Sequence, residues 1–93
     1  MYRPAVRAPA AEVLRRLPPG IKRAVKSAIR VVVANPLAGE PLHGELEGLW
    51  KYRVRKFRLV YQVDRAKRLV NILALGARRS IYEEVAELLR SKE

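Results

Sequence analysis

Cysteine is absent from this chain, which rules out disulfides and thiolate metal sites as sources of stability. Histidine is nearly absent as well. A lone His43, set in a glycine- and proline-containing loop, supplies neither a histidine metal centre nor a histidine-anchored catalytic triad. No apolar run approaches the roughly 20 residues that span a bilayer. The opening Met1-Tyr2-Arg3-Pro4 has no hydrophobic signal core behind it. Repeats, low-complexity tracts and linkers are missing too. The expectation is a soluble, cytoplasmic protein with one domain over residues 1–93, no cofactor, no metal and no membrane partner. At this length the core is modest, close to the lower size at which a chain folds without staples.

Acidic residues are also scarce. Nine Asp and Glu face twenty Lys and Arg, leaving a formal charge of +11. Such an excess points to a polyanionic partner, whether nucleic acid, an anionic membrane or an acidic protein, and does not choose among them.

The pattern of apolar residues predicts an α+β fold, an antiparallel sheet packed against an N-terminal helical hairpin, in the order β-α-α-β-β-β-α. Tyr2 to Arg7 reads as a short strand in which Pro4 suits only an edge strand or a strand's first residues. Ala8 to Leu17 places Ala10, Val13, Leu14 and Leu17 on one helical stripe. Pro18-Pro19-Gly20 breaks it. Ile21 to Ala34 is the clearest helix, with Ile21, Val25, Ala28, Ile29 and Val32 in register, and Asn35-Pro36 stops it. Leu37 to Gly48 reads as a loop. Trp50 to Lys56, Phe57 to Asp64 and Leu69 to Leu75 are rich in aromatic and β-branched residues and read as strands. Ser80 and Glu83 form the capping-box pattern of a last helix with the stripe Ile81, Val85, Leu88 and Leu89.

The cations are not spread evenly. Between Trp50 and Arg79 there are ten Lys or Arg and a single acid, Asp64. In the first of these strands Lys51, Arg53 and Arg55 alternate with Tyr52 and Val54, so period two puts the three cations on one face. A strand built only for solubility mixes signs. A one-sided row matches the regular negative charge of a nucleic-acid backbone, the alternative being a solvated basic face. In the next strand Phe57, Leu59, Tyr61 and Val63 share the core face, so Arg58 points to the other, unless it merely pairs with Glu45 or Glu47. Tyr82 falls one residue off the stripe of the last helix, near Arg78 and Arg79. A phenol with a pKa near 10 works as a base at neutral pH only where cations or a helix start favour phenolate. The same position suits a half-buried aromatic packed on the sheet. Trp50 and Tyr52 read as core residues in preference to base-stacking platforms.

The run Leu46-Glu47-Gly48-Leu49-Trp50-Lys51-Tyr52-Arg53-Val54-Arg55, then Phe57-Arg58-Leu59-Val60-Tyr61-Gln62-Val63, then a strand ending in Gly76-Ala77-Arg78 ahead of Tyr82, resembles the RelE/ParE toxin superfamily. The resemblance extends over nearly the whole chain. It implies the toxin of a type II toxin–antitoxin system, with a cognate antitoxin whose extended segment wraps it and covers or displaces the last helix. RelE-type members cut mRNA in the ribosomal A site without a metal, by driving the ribose 2′-hydroxyl onto its neighbouring phosphate, whereas ParE-type members poison DNA gyrase. For the nuclease branch the resemblance implies Arg58, Arg78, Tyr82 and Lys51 as catalytic residues, with Arg53, Arg55, Lys56 and Arg79 binding RNA. Two departures stand out. The helper positions hold more arginine than lysine, and arginine is a poor proton carrier. The spacing before Tyr82 is short, which leaves Arg78 and Arg79 as alternatives for one role.

Overall fold

A computed structural model describes residues 1–91. The elements are β1 (Arg3–Val6), α1 (Ala8–Arg16), α2 (Pro19–Ala34), β2 (Glu40–Pro41), β3 (Leu49–Val54), β4 (Phe57–Asp64), β5 (Leu69–Gly76) and α3 (Ser80–Ser91), with one 3₁₀ turn at Gly44–Leu46. The expected order of strands and helices is therefore present, with a two-residue β2 added inside the loop. The strands form one sheet in the order β1-β5-β4-β3-β2. β2 to β5 pair antiparallel, while β1 lies parallel to β5 at the edge, where Pro4 has no ladder bond to lose. The break between the helices is shorter than the sequence suggests. Pro19 and Gly20 form the first turn of α2, because proline at a helix start gives up only an amide that would be unpaired anyway.

Alternation along the strands builds two apolar layers. On one face Leu59 and Tyr61 of β4 and Val70, Ile72 and Leu75 of β5 pack beneath Val25, Ala28, Ile29 and Val32 of α2. Trp50 stacks on Tyr61 in this layer, their ring centroids 6.3 Å apart and their planes inclined by 20°. Trp50 is thus a core residue. On the other face Leu49, Val60 and Ala74 meet Ile81 and Val85 of α3. Val60 is completely buried, so the face shared by Arg58 and Gln62 is half core, a role that sequence alternation alone does not assign. Burial of each such side chain contributes about 1.5–3 kcal/mol.

A bulge in β5 sets the geometry of the second face. Val60 pairs with Ala74 but Tyr61 with Ile72, leaving Leu73 without a partner. One extra residue reverses which side chains face which way. Leu75 therefore joins the hairpin layer, and Gly76 comes to lie opposite Arg58. A Cβ on Gly76 would sit 3.1 Å from Ile81 Cδ1, so glycine permits the close approach of α3 where the chain leaves the sheet.

The expected capping box is not formed. Ser80 is the first residue of α3 rather than its cap, and its hydroxyl lies 3.5 Å from Glu84 Oε2. The first turn is tightened instead, with Ile81 N–H donating to Arg78 O and Tyr82 N–H to Arg79 O, both at 3.1 Å. The chain thereby turns sharply from β5 into α3.

Candidate functional site

The uncovered half of the α3 face is basic. Lys51 and Arg53 project from β3 on this side, and register places Arg53 directly opposite Arg58 of β4. Like charges directly opposite one another destabilise a sheet. Among the described residues neither arginine is paired with a carboxylate. Each is held by a backbone carbonyl instead. Arg58 Nη1 donates to Ala77 O at 2.9 Å, and Arg53 Nε donates to Arg55 O at 3.0 Å. Each bond uses one of five guanidinium donors and fixes the group, leaving the others for a ligand. Pairing of Arg58 with Glu45 is excluded, since Glu45 is engaged by Arg90 of α3.

Around these arginines lies a cavity of about 480 Å³, walled by Glu40 and Lys51 on one side and by Arg79 and Tyr82 on the other. Strand order explains the arrangement. β2 and β3 form one edge of the sheet, β4 carries Arg58 in the middle, and β5 delivers the chain into α3 across from them. Tyr82 is half-buried, with its ring against the apolar layer under α3 and its side chain on the cavity wall. The packing expected of this tyrosine is present, and it leaves part of the side chain facing the cavity.

Three sequence expectations need relocation. Arg55 does not continue the basic strand face. β3 ends at Val54, and Arg55 with Lys56 forms the two-residue turn into β4, Arg55 taking the left-handed φ of +57° that the turn imposes. It serves the site through its carbonyl, which anchors Arg53. Lys56 stands beside it at the exposed tip. Arg78 and Arg79 separate completely. Arg79 lines the cavity, whereas Arg78 lies with Val13, Phe57 and Leu75 in a different depression.

One member was missed. Glu40 pairs with Lys51 across β2–β3, its Oε1 3.9 Å from Lys51 Nζ, and is the only carboxylate on the cavity wall among the described residues. Its position depends on the loop before it. The hydroxyl of buried Tyr61 donates to Pro36 O at 2.7 Å and accepts from Gly39 N–H at 3.0 Å. Burial raises the Tyr61 pKa above the usual phenol value, opposed by the bond from Gly39. A Cβ on Gly39 would lie 2.4 Å from Lys51 O and 2.6 Å from the Tyr61 hydroxyl, so only glycine lets this loop approach β3. A Gly-Glu-Pro segment in a loop was the one available signal.

A family model described as a ParE-like toxin of type II bacterial toxin–antitoxin systems matches residues 5–86. The chain belongs to this family. It is 36% identical to Toxin RelE of Mycobacterium tuberculosis over 83 residues, covering 87% of this chain and 86% of that protein. In the crystal structure of the M. tuberculosis toxin–antitoxin complex RelBE2, a chain superposes with a TM-score of 0.76 at 33% identity, covering 83% of this chain and 98% of that one. The isolated E. coli RelE toxin gives 0.72 at 25% identity, covering 96% and 99% respectively. This RelE/ParE toxin thus shares the family fold across the sheet, the hairpin and the segment that carries Arg79 and Tyr82. No helix among its described residues is long and apolar enough to cross a membrane.

Proposed function

We propose that this toxin is a ribosome-dependent mRNA endonuclease that cleaves without a metal by 2′-hydroxyl attack on the adjacent phosphate. The observation carrying this reading is the cross-strand pair Arg53 and Arg58, unneutralised and anchored on carbonyls, in a cavity with a carboxylate on one wall and a phenol on the other.

The phosphate sits over Arg58 and Arg53, with Arg79 closing from the α3 side, so that charge growing on the non-bridging oxygens meets fixed donors. Glu40, held by Lys51, takes the proton of the 2′-hydroxyl as the 2′-oxygen forms its bond to phosphorus. Tyr82, on the opposite wall, gives its proton to the leaving 5′-oxygen as the phosphorus–5′-oxygen bond breaks. The products are a 2′,3′-cyclic phosphate and a 5′-hydroxyl, with the proton count conserved. Placing base and acid on opposite walls suits in-line displacement, and it divides the proton work between groups other than arginine. Arg79 takes the role that sequence spacing left open between it and Arg78. Lys56 and the Arg55 side chain, at the turn tip, contact RNA outside the cleaved bond.

The partners under this reading are mRNA in the ribosomal A site and a cognate antitoxin, the latter supported by the toxin–antitoxin complex among the related structures. Mapping transcript ends after brief induction tests it. Codon-phased cuts in translated mRNA, lost in Arg58→Ala, Tyr82→Phe and Glu40→Gln, are the expected result. DNA damage with intact transcripts would transfer the reading to gyrase poisoning of the ParE type. Growth inhibition with neither outcome would leave a binding protein of the same fold.

A further inference from the structure

The hairpin carries a second basic surface, on the opposite side of the sheet from the cavity. Arg23, Lys26 and Arg30 are all exposed on α2 and follow one another at three and four residues, with exposed Ser27 among them. At 1.5 Å per residue the row is about 10 Å long, with one cation per turn. Cations at these spacings repel one another along a helix. α2 contains no acid to relieve them, and among the described residues none of the three is in an ion pair.

Neighbouring α1 shows the contrast. Its Arg15 and Arg16 are both paired with Glu12, at 2.6 and 3.3 Å. Lys22 is also occupied, donating to Arg15 O at 3.2 Å where the two helices join. The row occupies the middle of α2, outside its first and last turns, so the helix dipole does not account for it either. Nothing in the folding of the chain calls for that placement.

We infer that Arg23, Lys26 and Arg30 form a second RNA-docking surface, which grips the phosphate backbone of a structured RNA while the cavity holds the strand to be cut. An RNA backbone fits better than an acidic protein, because the row has no aromatic or apolar anchor at its centre, as protein interfaces do. The Cα trace is 21 Å through its thinnest dimension, so two faces on opposite sides engage separate RNA segments. The inference rests on the proposed function for its biological setting, the ribosome, but its test does not require cleavage.

Binding of the full-length chain to purified ribosomes and to a duplex RNA hairpin is measured as a function of salt. The triple variant Arg23→Gln, Lys26→Gln, Arg30→Gln is compared with a charge-matched control, Arg3→Gln, Arg65→Gln, Lys67→Gln. The α2 variant is expected to bind roughly tenfold more weakly, with a salt slope shallower by about two, while the control changes far less. Where cleavage is observed, the α2 variant raises KM for ribosomes and leaves kcat at saturation unchanged. Equal losses in both triples would overturn the inference, leaving only an effect of net charge. So would intact RNA binding with weakened antitoxin or anionic-vesicle binding. If ribosome binding responds as expected but no RNA is cut, the second surface stands and the nuclease reading fails.

Discussion

On the hairpin side of β4, Leu59 and Tyr61 disappear completely beneath α2, while on the other side their neighbours Val60 and Arg58 are treated differently from each other. Val60 is sealed by α3, and Arg58 is left in an open cavity facing Arg53. One face is therefore covered throughout. The other is apolar only as far as α3 reaches, then gives way to cations that weaken the sheet. The lesson is that the closed face and the α3 half of the second face supply the stability, so the basic half can be arranged for a ligand.

The comparison breaks most readily on the closed side. Leu59→Ala removes a fully buried side chain and is expected to lower unfolding free energy by about 2–5 kcal/mol, read by chemical denaturation. Arg58→Ala is the counterpart on the open side. It should reduce RNA cleavage by roughly 100- to 1000-fold while leaving the denaturation midpoint unchanged or slightly raised, since a like-charge pair is lost. Equal stability losses in the two variants would mean that the faces are not divided as described.

Gly39→Ala tests the link between the faces. Its Cβ has no room beside Lys51 O and the Tyr61 hydroxyl, so a loss of about 1–3 kcal/mol is expected, together with reduced cleavage because Glu40 and Lys51 are displaced. Tyr61→Phe should cost about 1–3 kcal/mol by stranding Pro36 O and Gly39 N–H. It also predicts a pH effect. The folded Tyr61 pKa lies above that of the unfolded chain, so its contribution is complete below about pH 10 and is lost as pH rises through the folded value. The alkaline fall in stability should therefore become shallower in the variant. Glu45→Gln, at the exposed pair with Arg90, is expected to change stability by less than about 1 kcal/mol.

Much of the site was legible because period two is a local property. Lys51 and Arg53 had to share a face, and Arg58 had to oppose the core side of β4. Arg55 broke the rule because the strand ends at Val54, and a two-residue turn overrides alternation. Glu40 was illegible because its partner lies across a strand pair only two residues long.

What the sequence determined by itself was the order of elements, the apolar stripe of each helix and the concentration of cations after Trp50. These depend on residues a few positions apart, whose relative directions are set by helix and strand geometry. The tertiary structure alone decided that Val60 is covered and Arg58 is open, that Arg79 and not Arg78 reaches the cavity, and that Glu40 stands across from Tyr82. The first two follow from the bulge at Leu73 and the tight first turn of α3, where a shift of one residue reverses a side chain's direction, and the third from the close approach of the Gly39 loop to Tyr61 and β3.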